Sequence, residues 1–274
     1  MVRIRNPDTL ARDSHLAHDP AGEVDSLRRG LQLLRLFDAR HRSLQVSEIA
    51  SKLGLSRVTA AKLVSTLVSQ NFLRAAGPEG AFEPHIACLA LGRSVKRGLP
   101  VLQAAQPRML ALSQRFEVHV TLSTRDQTQM LVVEHVVPAG QVRLGLDTGA
   151  RLPMSRSASG RAYLWAQPKL QRGKWLEIDS NDDGEGARRK SEVKTAFHEL
   201  DEKGWCFMAA PVTSQTSSIA TPIYAGNEVD YVLTAMAVGP AVERKLRDKV
   251  APELLAQAQM ISHDLGTHPL EGHY

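Results

Sequence analysis

The 274-residue sequence predicts an α+β protein built in two parts. Apolar residues recur at helical spacing up to about residue 116, then switch to the two-residue alternation of strands, interrupted by further helical stretches. The length is sufficient for two domains, each with its own core. Charge divides at nearly the same place. Residues 1–97 hold 15 Lys and Arg against 9 Asp and Glu, and residues 98–274 hold 19 against 20, so the whole formal excess of +5 arises in the first part. A basic segment beside a neutral one points to a polyanion-binding module joined to a domain with another task. The longest apolar runs, such as 131–137, fall well short of the roughly 20 residues of a membrane helix. Two cysteines far apart, Cys88 and Cys206, and a start without a secretion leader predict a reducing, cytoplasmic setting.

Residues 1–23 carry Asp-Pro and no sustained apolar period, and are expected to be a flexible tail. From Val24, the residues Leu27, Leu31, Leu34 and Phe37, with Leu33 and Leu36 beside them, predict an amphipathic helix. Asp25 or Ser26 would cap it, and Arg28, Arg29 and Arg35 would lie on its polar side. The segment 46–67 then falls into two helices. Ser47 would cap the first, whose apolar face is Ile49, Ala50 and Leu53, and Gly54 suits the tight turn that follows. Ser56 would cap the second helix, which is expected to bury Val58, Leu63, Val64 and Leu67. That leaves Arg57, Thr59, Ala60, Lys62, Ser65 and Thr66 toward solvent or a partner. Small Ala50, Gly54 and the plug residue Leu55 meet the requirements of a helix-turn-helix. Phe72-Leu-Arg-Ala and Ala81-Phe-Glu-Pro read as the strands of a hairpin wing, with Pro84 tolerable only at an edge. Residues 24–85 therefore predict a winged helix-turn-helix. Helices at 86–96 and 99–116 form a linker, bent at Gly98-Leu-Pro100.

From residue 117 onward, strands are expected at 118–123, 130–137, 142–146, 205–209, 218–224 and 231–238, with Pro240 ending the sheet. Helices are expected at 158–165, 169–176, 191–203 and 242–265, the last turning Val250, Leu254, Leu255, Ala258 and Ile261 inward. Short turns between neighbouring strands imply an antiparallel six-stranded sheet with helices packed on it. Residues 117–274 make the second domain.

The second helix of the helix-turn-helix is the candidate recognition helix. Arg57 near its start suits a guanine edge in the major groove, and Thr59 a thymine methyl or a phosphate. Lys62, Ser65 and Thr66 are placed for phosphates, and Arg28, Arg29, Arg40, Arg42, Lys52 and Arg74 add sequence-independent attraction. In the second domain, Arg151-Leu-Pro leads into Ser155, Ser157, Ser159 and Gly160 at the start of a helix. Unpaired N–H groups and the positive end of the helix dipole there suit a small anion; the alternative reading is a serine-rich loop that only caps its helix. His119, His135 and His263 do not share a metal-ligand spacing, and neither a metal nor a cofactor is expected. Cys88, Cys206, Trp165 and Trp205 read as core residues, and Asn181-Asp-Asp-Gly-Glu-Gly as a solvated turn.

At this point the sequence resembles the isocitrate lyase regulator (IclR) type of bacterial transcription factors, over roughly 24–266. The resemblance rests on Ser26-Leu-Arg-Arg-Gly-Leu-Gln-Leu-Leu, Ser47-Glu-Ile-Ala and Arg151-Leu-Pro-Met-Ser-Arg-Ser-Ala-Ser-Gly-Arg-Ala. Later signals are Glu202-Lys-Gly-Trp, Ser218-Ile-Ala-Thr-Pro-Ile-Tyr and Ala235-Met-Ala-Val-Gly-Pro. It implies a C-terminal effector domain of GAF-like fold, double-stranded operator DNA as partner, and homodimers paired through the DNA-binding domains, often assembled into tetramers. It also implies a small carboxylate effector held by the backbone amides of Ala158 and Ser159, beside Gly160. Leu144 and Leu152 would line one wall of the pocket, Met208, Thr216 and Ser218 the other, with Met236 and Val238 beyond a one-residue insertion. The sequence departs from the family pattern in the wing, at Phe82-Glu-Pro-His, and between 207 and 217, which lacks the acidic residues often found there.

In relatives that bind two- or three-carbon oxo acids, the positions of Met208, Met236 and Val238 are polar. Apolar residues there suit an aromatic acid such as a hydroxybenzoate better than pyruvate or glyoxylate. Two other function classes compete with a ligand-responsive regulator. An enzyme would need chemistry with no Gly-x-Ser-x-Gly elbow, P-loop or dinucleotide fingerprint, and a protein-interaction module would carry a helix-turn-helix that no longer binds DNA.

Overall fold

The computed structural model describes residues 22–38, 41–77, 80–142, 144, 146–169, 172, 186–209, 216–226, 228–239 and 242–266. The expected tail up to residue 21, most of the helix expected at 169–176, the turn at 181–185 and Pro240 lie outside them. The chain divides into two compact units between Gly92 and Arg93.

In the first unit, helix α1 (Asp25–Leu34) is followed by β1 (Leu44–Gln45), α2 (Val46–Leu53), α3 (Arg57–Ser69), β2 (Leu73–Ala76) and β3 (Ala81–Pro84). Leu33, Leu44, Ile49, Ala50, Ala60, Val64 and Leu73 form its core. The turn between α2 and α3 places Gly54 at φ 64°, the left-handed conformation that lets Leu55 N–H reach the Ala50 carbonyl at 2.9 Å. Strand β3 is the middle of a three-stranded antiparallel sheet in the order β1-β3-β2. Pro84 is tolerated there because β1 pairs only with Ala81 and Phe82, leaving Pro84 beyond its reach.

Three local expectations are corrected. Helix α1 starts after Val24 without a side-chain cap, and Asp25 lies in its first turn, ion-paired to Arg28 and Arg29. Helix α2 is capped by Gln45 instead of Ser47, through a reciprocal box in which the Gln45 N–H donates to Glu48 Oε2 at 2.7 Å. On α1, Leu33 is buried while Leu27 and Leu31 are exposed.

Helix α4 (Ala87–Arg97) buries no side chain. It ends before Leu99, which precedes α5 (Pro100–Phe116), so the break falls at the expected Gly-Leu-Pro. The second unit continues with β4 (His119–Asp126), β5 (Gln129–Val136), β6 (Arg151–Pro153), α6 (Ala158–Ala166), α7 (Gly186–Lys203), β7 (Cys206–Met208), β8 (Thr216–Ala225) and β9 (Glu228–Val238). The closing helix has three parts, α8 (Val242–Lys245), a π-helical turn (Leu246–Val250) and α9 (Ala251–Asp264).

The six strands form one antiparallel sheet in the order β6-β5-β4-β9-β8-β7. The third strand of this sheet along the chain is not the one expected at 142–146, whose described residues are not a strand, but the short edge β6. One face of the sheet packs on α5 and α9 through Val120, Leu122, Leu233, Ala235, Leu254 and Ile261. The other meets α6 and α7 through Met130, Val232, Ala220, Ala162, Leu164 and Leu200. Among the described residues no helix is long and apolar enough to cross a membrane.

Candidate DNA-binding and effector sites

The N-terminus of α3 is built by Ser56, whose hydroxyl accepts the Thr59 N–H at 3.2 Å and lies 2.9 Å from Thr59 Oγ1. Arg57, Lys62, Ser65 and Thr66 are exposed, and Thr59 is half-buried. Ala60 is 0% exposed and sits in the core, whereas Val58 is 68% exposed. The expected roles of these two residues are therefore exchanged, and the Ala60 methyl packs inward instead of meeting a partner. Helical spacing explains this: Ala60 and Val64, four residues apart, share the inward stripe, and Val58 falls outside it. Val58 and Ala61 thus belong to the outer surface with Arg57 and Lys62.

The cations differ in how free they are to meet phosphates. Arg74 on β2 is held by Glu83 on β3 at 2.7 Å, and Arg28 pairs with Asp25 and with Glu23 at 3.5 Å. Arg57 and Lys62 have no carboxylate partner among the described residues. The Thr66 hydroxyl donates to the Lys62 carbonyl at 3.0 Å, so its remaining capacity is as an acceptor.

In the second unit the start of α6 is fully enclosed. Ser157 Oγ accepts the Gly160 N–H at 3.1 Å and donates to the Pro153 carbonyl at 2.7 Å, while Ser159 Oγ donates to Ser157 Oγ at 3.3 Å. Ala158, Ser159 and Gly160 are all buried. A Cβ on Gly160 would stand 2.0 Å from the Met154 carbonyl oxygen, so only glycine permits this approach of helix and loop. Arg161 fixes the loop from the other side. Its Nε donates to the Ser155 carbonyl at 2.8 Å, and its guanidinium meets Glu192 on α7 at 2.7 Å. Burial pushes the Glu192 carboxyl up, but hydrogen bonds and charge from Arg161 and Arg188 hold it below the usual carboxylate range.

Strand register shows which of the expected effector residues share a wall. Met208 on β7 pairs with Ser218 on β8, which pairs with Met236 on β9, so the three form one row. Cys206, two residues before Met208 and on the same face, donates its thiol to the Ala158 carbonyl at 3.6 Å and ties that row to the start of α6. Burial pushes the Cys206 thiol up to about 12. Thr216 pairs with Val238 one step further on, and Val238 is 45% exposed. Leu152 stands on β6, at the opposite edge of the sheet from Met208, and half-buried Leu144 lies outside any strand.

The register extends the Met208–Ser218–Met236 row to His119 on β4. His119, Thr121 and Ser123 alternate along that central strand toward α6 and α7, and all three are buried. Sequence reasoning left them out of both candidate sites. Their signal was the alternation in Val118-His-Val-Thr-Leu-Ser, which in a half-covered strand marks a solvent face.

A winged helix-turn-helix with an outward cationic recognition helix, joined to a sheet domain with a buried polar strip, defines a DNA-binding regulator that carries a ligand domain. The family model for the IclR helix-turn-helix domain matches residues 26–77, and that for the bacterial transcriptional regulator IclR C-terminal domain matches 93–265. The chain belongs to the IclR family of bacterial transcriptional regulators. Among its relatives, the HTH-type transcriptional regulator TsaQ1/TsaQ2 of Comamonas testosteroni is 28% identical over 264 residues, covering 90% of this chain and 92% of that protein. The Pca regulon regulatory protein of Pseudomonas putida is 23% identical over 249 residues, covering 88% and 84%. A crystal structure of an IclR family regulator from Brucella abortus superposes with a TM-score of 0.81 at 26% identity, covering 91% of this chain and 96% of that one. An IclR homologue from Microbacterium hydrocarbonoxydans, crystallised with 4-hydroxybenzoate, shares the fold with a TM-score of 0.68 at 22% identity, covering 88% and 99%.

Proposed function

We propose that this chain is a ligand-responsive transcriptional regulator of a catabolic operon whose effector is a small aromatic carboxylic acid such as a hydroxybenzoate. The observation that carries the reading is the enclosed start of α6 facing the Met208–Ser218–Met236 row: helix-end donors at one side, thioethers at the other. The carboxylate would be held by the amides of Ala158 and Ser159. The ring would lie against Met208 and Met236, with Leu144, Leu152, Thr216 and Val238 further out. Support comes from the Pca regulon regulatory protein among the relatives and from the neighbour crystallised with 4-hydroxybenzoate. Residues 24–85 would bind the operator, 86–116 would link, and 117–274 would sense the effector. Arg57 would read a base, with Thr59, Lys62, Ser65, Thr66, Arg28 and Arg74 on phosphates, and a homodimer would span two half-sites.

The test pairs an anisotropy titration on the promoter beside its own gene with calorimetry against a panel of acids. Operator binding should weaken as salt rises and change with a benzoate. Ser159→Pro, which removes one amide donor, should abolish the effector response and leave operator binding in place. A preference for pyruvate or glyoxylate over benzoates would overturn the aromatic reading.

A further inference from the structure

Buried polar atoms in a protein core are normally satisfied, and leaving one unpaired is costly because it loses its bonds to water and gains none in return. The centre of the six-stranded sheet carries three exceptions on a single face. Among the described residues, His119 Nε2, Ser123 Oγ and Thr234 Oγ1 are buried without a hydrogen-bond partner. Their side chains are at most 4% exposed.

They are neighbours by register. His119 and Ser123 stand at alternate positions on β4, and Thr234 on β9 faces Thr121 between them. Diagonal neighbours on adjacent strands lie about 7–8 Å apart, so an oxygen placed between His119 and Thr234 reaches both side chains. β4 and β9 are the two middle strands, and this face is the one covered by α6 and α7. The His119 ring is oriented from behind: its Nδ1 lies 3.1 Å from Nε2 of His135 on β5, with the two ring centres 5.3 Å apart.

We propose that His119 and Thr234, flanked by Ser123, receive a hydroxyl group of the ligand, so that the domain selects a hydroxylated aromatic over the unsubstituted ring. A hydroxyl both donates and accepts, as this pair requires. It gives its proton to His119 Nε2 and takes one from Thr234 Oγ1, while His119 Nδ1–H is spent on His135. Burial depresses the pKa of His119, opposed in part by the Gln141 side chain, which favours the neutral ring that can accept.

The span also fits. Cys206, bonded to the Ala158 carbonyl, pairs with Ala220, which pairs with Thr234. Thr234 is thus two strand spacings, about 10 Å between backbones, from the residue that anchors the start of α6. Ala220, the residue between them, carries only a methyl, and the distance is too long for a two-carbon acid to bridge. The inference rests on the aromatic-acid reading for the far end of the ligand, but the hydroxyl site itself does not need the carboxylate.

The experiment is a calorimetric titration of the full chain with 4-hydroxybenzoate, benzoate and phenol, repeated on Thr234→Val and His119→Phe. The wild type should bind 4-hydroxybenzoate about tenfold more tightly than benzoate, one hydrogen-bonded hydroxyl being worth roughly 1.4 kcal/mol. Both variants should bring that ratio close to one and remove phenol binding. Thr234→Val loses no protein hydrogen bond, so its melting temperature should equal or exceed the wild type's, which separates lost recognition from lost folding. A wild type indifferent to the hydroxyl, or a ratio unchanged in both variants, overturns the proposal. Phenol binding that is sensitive to both variants, with no binding of either acid, would remove the carboxylate reading and leave this one standing. Failure of all three ligands would remove both.

Discussion

Cys206 shows how much a single side chain reports about its surroundings. It is completely buried, its thiol turned to the Ala158 carbonyl, and its pKa is pushed to about 12 by desolvation. The thiol is therefore protonated at neutral pH and inert to alkylation in the native chain. The consequence for stability has a definite sign. Above the ordinary thiol range the unfolded chain loses this proton while the folded chain keeps it, so stability falls as pH rises toward 12. Denaturant melts at increasing alkaline pH should show that decline, and Cys206→Ala should flatten it. Residue by residue, the sequence was a good guide where one side chain has one dominant preference: the Ser56 cap, Gly54 in the left-handed turn, the burial of Cys206. It was a poor guide on α3, because Val58 and Ala60 are both apolar. Only the packing of α3 on α1 and α2 decides which points inward.

At the scale of elements, the approach of α6 to the loop before it is tightly constrained, since it involves backbone on both sides. Gly160→Ala would press a methyl into the Met154 carbonyl, 2.0 Å away, and backbone cannot rotate aside as a side chain can. The expected cost is about 1–3 kcal/mol or more, read as a lowered denaturation midpoint for the C-terminal unit, with operator binding less affected. Element type was legible wherever the periodic run was long: α5, α9, β4, β5, β8 and β9 fall where alternation or helical spacing puts them. Two of the short edge strands were not, although β7 falls within the expected 205–209. β1 has two residues and β6 has three, including Pro153, and such segments are defined by the neighbour they pair with, which no local pattern announces. The same reason hid the polar strip at 119–123, since burial of its second face depends on α6 and α7, which follow much later in the chain.

For the whole molecule, the division of charge read from the sequence takes on a finer form. Arg28, Arg29 and Arg74 of the basic part are tied to carboxylates, whereas Arg42, Lys52, Arg57 and Lys62 have no carboxylate partner among the described residues and supply the field that a polyanion meets. The division between Gly92 and Arg93 falls inside α4, a helix of eleven residues with no buried side chain, whose Leu89, Leu91 and Val95 are exposed. Isolated helices shorter than about 12–15 residues are marginal in water. Its backbone amides should therefore exchange quickly with deuterium in a dilute sample, in contrast to those of β4 and β9. If a second copy covers those leucines and Val95, protection of α4 will rise with protein concentration while the sheet stays constant; protection independent of concentration would mean that the single chain holds the helix by itself. The rate at which one connecting helix takes up deuterium is thus a direct gauge of assembly.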